Sequence, residues 1–171
     1  MSVKVEVKMD VQSMVDFMTY HIYSGAVGIG SFILGGINIG LTMAFAMKGK
    51  YLFMGLFLIF ALIIFFIFPY IIKRKVERQM QNSRRLDIPV TYEFDDYGIE
   101  TTTPDDSGKA SWSKFKRAVS KKRIIILYDA QKRAIILPVD QMAEEYTAVV
   151  DMIYAHMPAP AVRIRRLDKK R

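Results

Sequence analysis

The chain has 171 residues, 51% of them apolar, and carries 25 Lys and Arg against 17 Asp and Glu, a net charge of +8. With a positive mean hydropathy, this composition is high in apolar residues for an ordinary soluble domain and points to lipid. The absence of cysteine excludes disulfides, thiolate metal sites and a cysteine nucleophile.

In chain order, Val3, Val5 and Val7 alternate with Lys4 and Glu6, which predicts a strand, and Asp10 to Tyr23 reads as a helix leading into the first apolar run. No Asp, Glu, Lys or Arg occurs from Phe17 to Met47, nor from Tyr51 to Ile72. A bilayer core of about 30 Å takes about 20 helical residues. Thr19, Tyr20, His21, Tyr23 and Ser24 suit headgroup depth, so the spans are expected at 25–47 and 51–72. Mixed charges precede the first run and a second run follows closely, which reads as a retained span rather than a cleaved signal. Only Lys48, Gly49 and Lys50 separate the runs, so the helices form an antiparallel hairpin. Lys73, Arg74, Lys75, Arg78, Arg84 and Arg85 follow the second span, against two lysines at the tip. This asymmetry places both termini in the cytoplasm of a multi-pass protein of the cell membrane.

Gly28, Gly36 and Gly40, with Ser24, Ser31 and Gly35, give the first span small-xxx-small spacings that suit helix packing. Packing within the hairpin is the simpler use of these residues, and homo-oligomerisation the sharper one. Asn38 is the lone carboxamide of the spans and is expected to bond between helices. Pro69 is expected to mark a kink or helix exit.

Beyond the basic linker at 73–86 the period changes to two. Val90, Tyr92 and Phe94 alternate with Thr91, Glu93 and Asp95; Asp95-Asp96-Tyr97-Gly98 is a turn and Ile99 to Thr103 a second strand. After a turn at Pro104 to Gly108, a single third strand is expected from Lys109 to about Val119, then strands at Arg123 to Tyr128 and Arg133 to Leu137. Asp140 is the expected N-cap of a last helix in which Met142, Tyr146, Val149, Val150, Ile153 and Met157 share one face. The fold class is therefore an α+β membrane protein: a two-helix transmembrane hairpin, then a cytoplasmic antiparallel sheet capped by a C-terminal helix, with a pleckstrin-homology-like outline. Segments 1–24, 25–72, 73–86, 87–157 and 158–171 follow as N-terminal strand and helix, hairpin, linker, β-domain and basic tail. The N-terminal strand lies on the same side of the membrane and is positioned to join the sheet.

This order of parts resembles the YcxB-like family of small bacterial membrane proteins. The resemblance is carried by Val90-x-Tyr92-x-Phe94-Asp95-Asp96-x-Gly98-Ile99, by Trp112-Ser113-Lys114-Phe115 and by Leu137-Pro138. Val139 stands where that family has Lys, and Ser120 or Lys121 where it has an acid. The resemblance implies a bacterial cytoplasmic-membrane protein with a cytoplasmic β-domain and implies no particular reaction.

Catalytic chemistry finds little support. His21 and His156 lack the spacing of a zinc site and read as interfacial or surface groups. Asp95-Asp96 and Asp105-Asp106 read as turn residues, no phosphate-binding glycine loop precedes a helix, and Trp112 reads as packing beneath the last helix. No metal, cofactor or catalytic residue is assigned. What remains is basic charge beside a membrane, attractive to anionic lipid at about 1 kcal/mol per residue. Candidate contacts are Lys73, Arg74, Lys75, Arg78, Lys114, Lys116, Arg117, Arg165 and Arg166. The expected function is a non-enzymatic, membrane-anchored interaction module that binds a protein partner or anionic headgroups, without nucleic acid. An alternative is an accessory, regulatory or toxin-protection subunit that works through its hairpin in a larger membrane complex.

Overall fold

The computed structural model describes residues 2–81, 88–131, 133–142 and 144–165. The chain divides into two units, Met1–Phe17 with Ser83–Arg171, and Met18–Asn82.

In the first unit, eight strands among the described residues form two four-stranded sheets. One sheet runs in the order β1 (Val3–Lys8), β2 (Pro89–Phe94), β3 (Gly98–Thr102) and β4 (Ser107–Ser111), all antiparallel. The N-terminal strand pairs with β2 from Val3 opposite Phe94 to Lys8 opposite Pro89, so Val5 and Val7 reach the core beside Tyr92 and Phe94. The other sheet runs in the order β7 (Ala134–Pro138), β6 (Ile124–Asp129), β5 (Phe115–Lys121) and β8 (Val162–Arg163), with β8 parallel to β5. The expected single strand from Lys109 to Val119 is in fact two. A 3-10 turn at Trp112–Lys114 carries the chain from one sheet to the other, because Trp112 and Phe115 must both turn into the core. Trp112 lies against Phe94 and Phe115, and its indole N–H donates to the Asp95 carbonyl at 2.8 Å.

Two turns show why their residues are needed. The Asp95 carboxylate accepts from the Tyr97 and Gly98 N–H groups at 2.8 and 2.6 Å and from Lys109 Nζ. A Cβ at Gly98 would meet the Ala110 carbonyl oxygen at 2.2 Å, so only glycine permits this approach of β3 to β4. Asp106 is likewise a turn residue, its N–H donating to the Thr103 hydroxyl at 3.0 Å.

Strand β6 is buried on both faces. Ile125 and Leu127 join the core beneath α5 (Tyr146–His156), where Val149, Val150 and Ile153 stand. Ile124 and Ile126 point the opposite way, toward the face on which the first half of α1 (Val11–Tyr23) lies. There Phe17 sits 6.3 Å from the Tyr128 ring, and the buried Asp16 carboxylate receives Lys122 Nζ at 2.8 Å. Lys122 adopts φ 50° in the β5–β6 turn. Asp10 caps α1 through the Ser13 N–H at 2.8 Å.

The last helix begins at Tyr146, and Asp140 does not cap it. Asp140 sits in a 3-10 turn, Val139–Gln141, that lets fully buried Met142 enter the core before α5 starts. Nor is everything after Pro158 a solvated tail. Val162 and Ile164 are buried, and the Tyr146 and Tyr154 hydroxyls donate to the carbonyls of Arg165 and Ile164 at 2.8 and 3.0 Å. The whole is consistent with an α+β, pleckstrin-homology-like arrangement.

In the second unit, α2 (Ala26–Met47) and α3 (Tyr51–Leu62) run antiparallel about Lys48-Gly49-Lys50. Gly49 takes φ +69°, with its N–H on Ala46 O at 3.0 Å and that of Lys50 on Phe45 O at 3.0 Å, the paired bonds of a Schellman turn. Helix α2 and the continuous helical segment Tyr51–Gln81 that α3 opens are long and apolar enough to cross a membrane by length and composition. The second does not end at Ile72. It continues through a π-helical turn, Ile63–Ile67, into α4 (Phe68–Gln81), so much of the expected linker is helix. The π turn accommodates Pro69: the Phe68 N–H reaches back to Ile63 O, and the wider turn precedes the residue that cannot donate.

Candidate functional site

The chain crosses between sheets at Trp112–Lys114, which leaves β4 at the edge of one sheet and β7 at the edge of the other. Between them opens a cleft of about 280 Å³. Ala110, Phe115, Ala134 and Ile135 give it an apolar floor beside Gly108, and Thr101, Lys109, Lys114, Asp129 and Arg133 form its polar lining. Three cations against one carboxylate leave this lining at +2.

The charges are held in different ways. Lys109 pairs with Asp95 and lies 3.9 Å from Glu100 Oε2. The hydrogen bond to Asp95 holds the lysine pKa above its ordinary value, and that from Lys109 holds the Asp95 carboxyl below the usual carboxylate range. Partial burial raises the Asp129 pKa, but bonds from the Arg133 side chain and the Arg133 and Gln131 N–H groups outweigh it and leave it lowered. Arg133 Nε reaches Asp129 Oδ2 at 2.7 Å. Lys114 is exposed and unpaired among the described residues, so it is the cation best able to accept an incoming anion.

Of the basic residues singled out in the sequence, Lys114 alone lines this cleft. Lys116 is exposed on β5 and donates to Ser113 O at 3.0 Å, and Arg117 is half-buried on the same strand. Arg165 is exposed, its carbonyl held by Tyr146. Lys73, Arg74, Lys75 and Arg78 lie along α4, where Lys73 is 3.8 Å from Glu77 and the Arg74 guanidinium lies over the Tyr70 ring. Arg166, like Arg84 and Arg85, lies outside the described residues. Lys109, Asp129 and Arg133 are not among the candidates read from the sequence: Asp129 and Arg133 meet locally in the β6–β7 turn, and Lys109 joins them only because the edges of two sheets face one cleft.

His156 is half-buried rather than a surface group. Its ring stacks on Trp112 at 5.1 Å and 11°, and its Nδ1 lies 2.9 Å from Met152 O. Among the described residues, no group of three or more His, Cys, Asp or Glu is placed to hold a metal.

In the hairpin, Gly28 and Gly35 permit close contact: an added Cβ would meet the Tyr23 backbone at 2.2 Å or the Phe65 ring at 2.4 Å. Gly36 and Gly40 have nothing within 4 Å of such a Cβ, so they do not pack within the hairpin. Gly36 and Gly40 therefore stand on a face other than the one Gly35 presents to Phe65. Asn38 is buried, but its amide donates to Leu34 O of its own helix at 2.8 Å instead of bridging helices.

These features define an α+β domain with a cation-lined cleft, carried on a chain that also holds two apolar helices. The family model described as YcxB-like protein matches residues 94–153, so a YcxB-like domain is present there and includes every residue lining the cleft. No curated protein and no solved structure matches the chain.

Proposed function

We propose that this chain is a non-enzymatic, membrane-anchored interaction module: the hairpin spans the cell membrane, both termini lie in the cytoplasm, and the cleft of the YcxB-like domain receives an acidic segment of a protein partner. The carrying observation is the unpaired Lys114 at the mouth of an apolar-floored cleft bordered by two edge strands. Edge strands offer backbone groups to an extended segment, and the cation lining selects acidic residues. The anchor is supported by outward-facing apolar surface. Only 11% and 6% of the most apolar windows of the two helices are buried, which suits lipid and is costly in water.

The test uses the full-length protein in intact cells with a photo-crosslinking residue at Ala134, inside the cleft, or at Lys116, outside it. The reading requires a discrete adduct from position 134 that Lys114→Glu removes and position 116 does not give. Adducts confined to anionic phospholipid would transfer the cleft to headgroups, and equal adducts from both positions would defeat the reading. A second reading, in which the hairpin works within a larger membrane complex, is favoured by the open side of Gly36 and Gly40. Replacing both with isoleucine should then abolish the cellular phenotype with insertion intact.

A further inference from the structure

Strand register determines which backbone groups the two sheets leave unused. In an antiparallel ladder, alternate residues bond to one neighbouring strand and the residues between them face the other side. The Thr103 N–H donates to Asp106 O at 2.8 Å across the β3–β4 turn, so Gly108 and Ala110 bond to Thr101 and Ile99 while Ser107, Lys109 and Ser111 face outward. Among the described residues, the N–H and C=O of Lys109, the Ser111 N–H and the Ser107 C=O have no hydrogen-bond partner.

The other edges are less open. On β1, the Gln141 side-chain amide bonds both the N–H and the C=O of Lys8, at 2.8 and 2.7 Å. On β7, the bonds from the Val139 N–H to Arg123 O and from the Asp129 N–H to Arg133 O leave Ala134, Ile136 and Pro138 facing outward. Ile136 is buried, however, and Pro138 has no N–H. Strand β8 is two residues long. A lysine often guards an exposed edge, yet the Lys109 ammonium is drawn back across its own sheet to Asp95 and toward Glu100 of β3.

Two donors and two acceptors at strand spacing are matched by another extended chain, whereas an anionic headgroup uses only the donors. Side chains of an added strand point to the same face as the residues opposite them. Those level with Gly108 and Ala110 enter the cleft, where Gly108 contributes no side chain and Ala110, Phe115 and Ile135 are apolar. Lys109, Lys114 and Arg133 outweigh Asp129 in the lining and favour acidic residues. From Arg163 onward the chain carries six basic residues against Asp168, so its own tail is a poor match.

We infer that an acidic segment of a partner protein adds to the open edge of β4 as a further strand, bonding the backbone of Lys109 and Ser111, with apolar residues facing the cleft floor and acidic ones meeting Lys114 and Arg133. The inference rests on the acidic-partner reading proposed above and gives it an edge and a bonding pattern. The test removes one backbone donor. Ser111 has φ −62°, which proline adopts, and its N–H bonds nothing within the protein, so Ser111→Pro deletes an edge donor and leaves the β3–β4 ladder in place.

Full-length protein in lipid nanodiscs is screened against a synthetic library of peptides of about eight residues built from Asp, Glu, Val, Ile, Thr and Ser, and peptides whose binding Lys114→Glu removes are retained. Their affinity should fall about tenfold on Ser111→Pro relative to Ser111→Ala, which also lacks the hydroxyl but keeps the N–H. On the unsubstituted protein, N-methylation of alternate peptide residues should weaken binding and N-methylation of the intervening ones should not, a readout that stands even if Ser111→Pro shifts the Trp112 emission. Equal affinity for the two Ser111 variants, or N-methylation tolerated at every position, overturns strand addition at β4 and leaves the acidic-partner reading intact. A library that yields no Lys114-dependent peptide overturns both.

Discussion

Ile124, Ile125, Ile126 and Leu127 of β6 are fully buried, whereas Ile29, Phe32, Ile33 and Ile37 of α2 each leave more than half of their surface exposed. Both stretches are rich in aliphatic residues, so hydrophobicity alone does not decide which becomes a core. A strand satisfies its backbone through neighbours, and β6 has one on each side, leaving both faces to be covered by α1 and α5. A helix bonds its own backbone and can turn apolar side chains outward wherever the surroundings are apolar. The β unit is stabilised by burying side chains within the protein, and the hairpin presents them outward.

The sharpest way to break this comparison is to truncate one residue of each kind. Ile126→Ala should lower the unfolding free energy of the β unit by about 2–4 kcal/mol, while Ile33→Ala should stay within about 0.5 kcal/mol. The first is read from the fluorescence of Trp112, the only tryptophan, during denaturant unfolding of the full-length protein, and the second from hydrogen exchange along α2. Equal losses would mean that α2 is packed like a core helix. Next in size is a pair of glycines. Gly98→Ala forces a Cβ onto the Ala110 carbonyl and should cost about 1–3 kcal/mol. Gly36→Ala meets open space and should be neutral or raise helix stability by up to about 1 kcal/mol, and a loss at Gly36 would reveal a neighbour on that face.

Tyr146→Phe sharpens the role of the C-terminal segment. Losing the bond to the Arg165 carbonyl should cost about 1 kcal/mol, and hydrogen exchange around Val162 to Arg165 should quicken more than around β1. The smallest effect concerns acid. Asp10, Asp95 and Asp129 all have carboxyl pKa values below the ordinary 3.8. Their contribution to stability is therefore complete above that value and is lost as pH falls through the lower folded values. Asp95→Asn should flatten the acid limb of a stability-against-pH curve, and an unchanged limb would remove Lys109 and the turn from the account.

Local patterns were legible in proportion to how local their causes are. The apolar runs, the turn at Asp95 to Gly98 and the apolar face of Tyr146, Val149, Val150 and Ile153 could be read directly, because helix periodicity and turn chemistry involve residues a few positions apart. The alternation of buried Val162 and Ile164 with exposed Arg163 and Arg165, of which Val162–Arg163 forms β8, is equally local but is masked by the surrounding basic residues. The break at Trp112 was not legible: period-two alternation does not say which of two sheets a strand joins. The start of α5 was missed because Asp140 has the chemistry of a cap, whereas the buried position of Met142 sets where the helix begins.

By itself, then, the sequence determined that two long apolar helices precede a strand-rich segment closed by an amphipathic helix, since those features follow from spacing along the chain. Only the tertiary structure decided that Lys109, Lys114, Asp129 and Arg133 share a cleft, that Gly35 and not Gly36 receives Phe65, and that Asn38 bonds its own helix. Each of these depends on which surfaces meet, and contacts between distant segments are set by packing and strand pairing that no short window of residues contains.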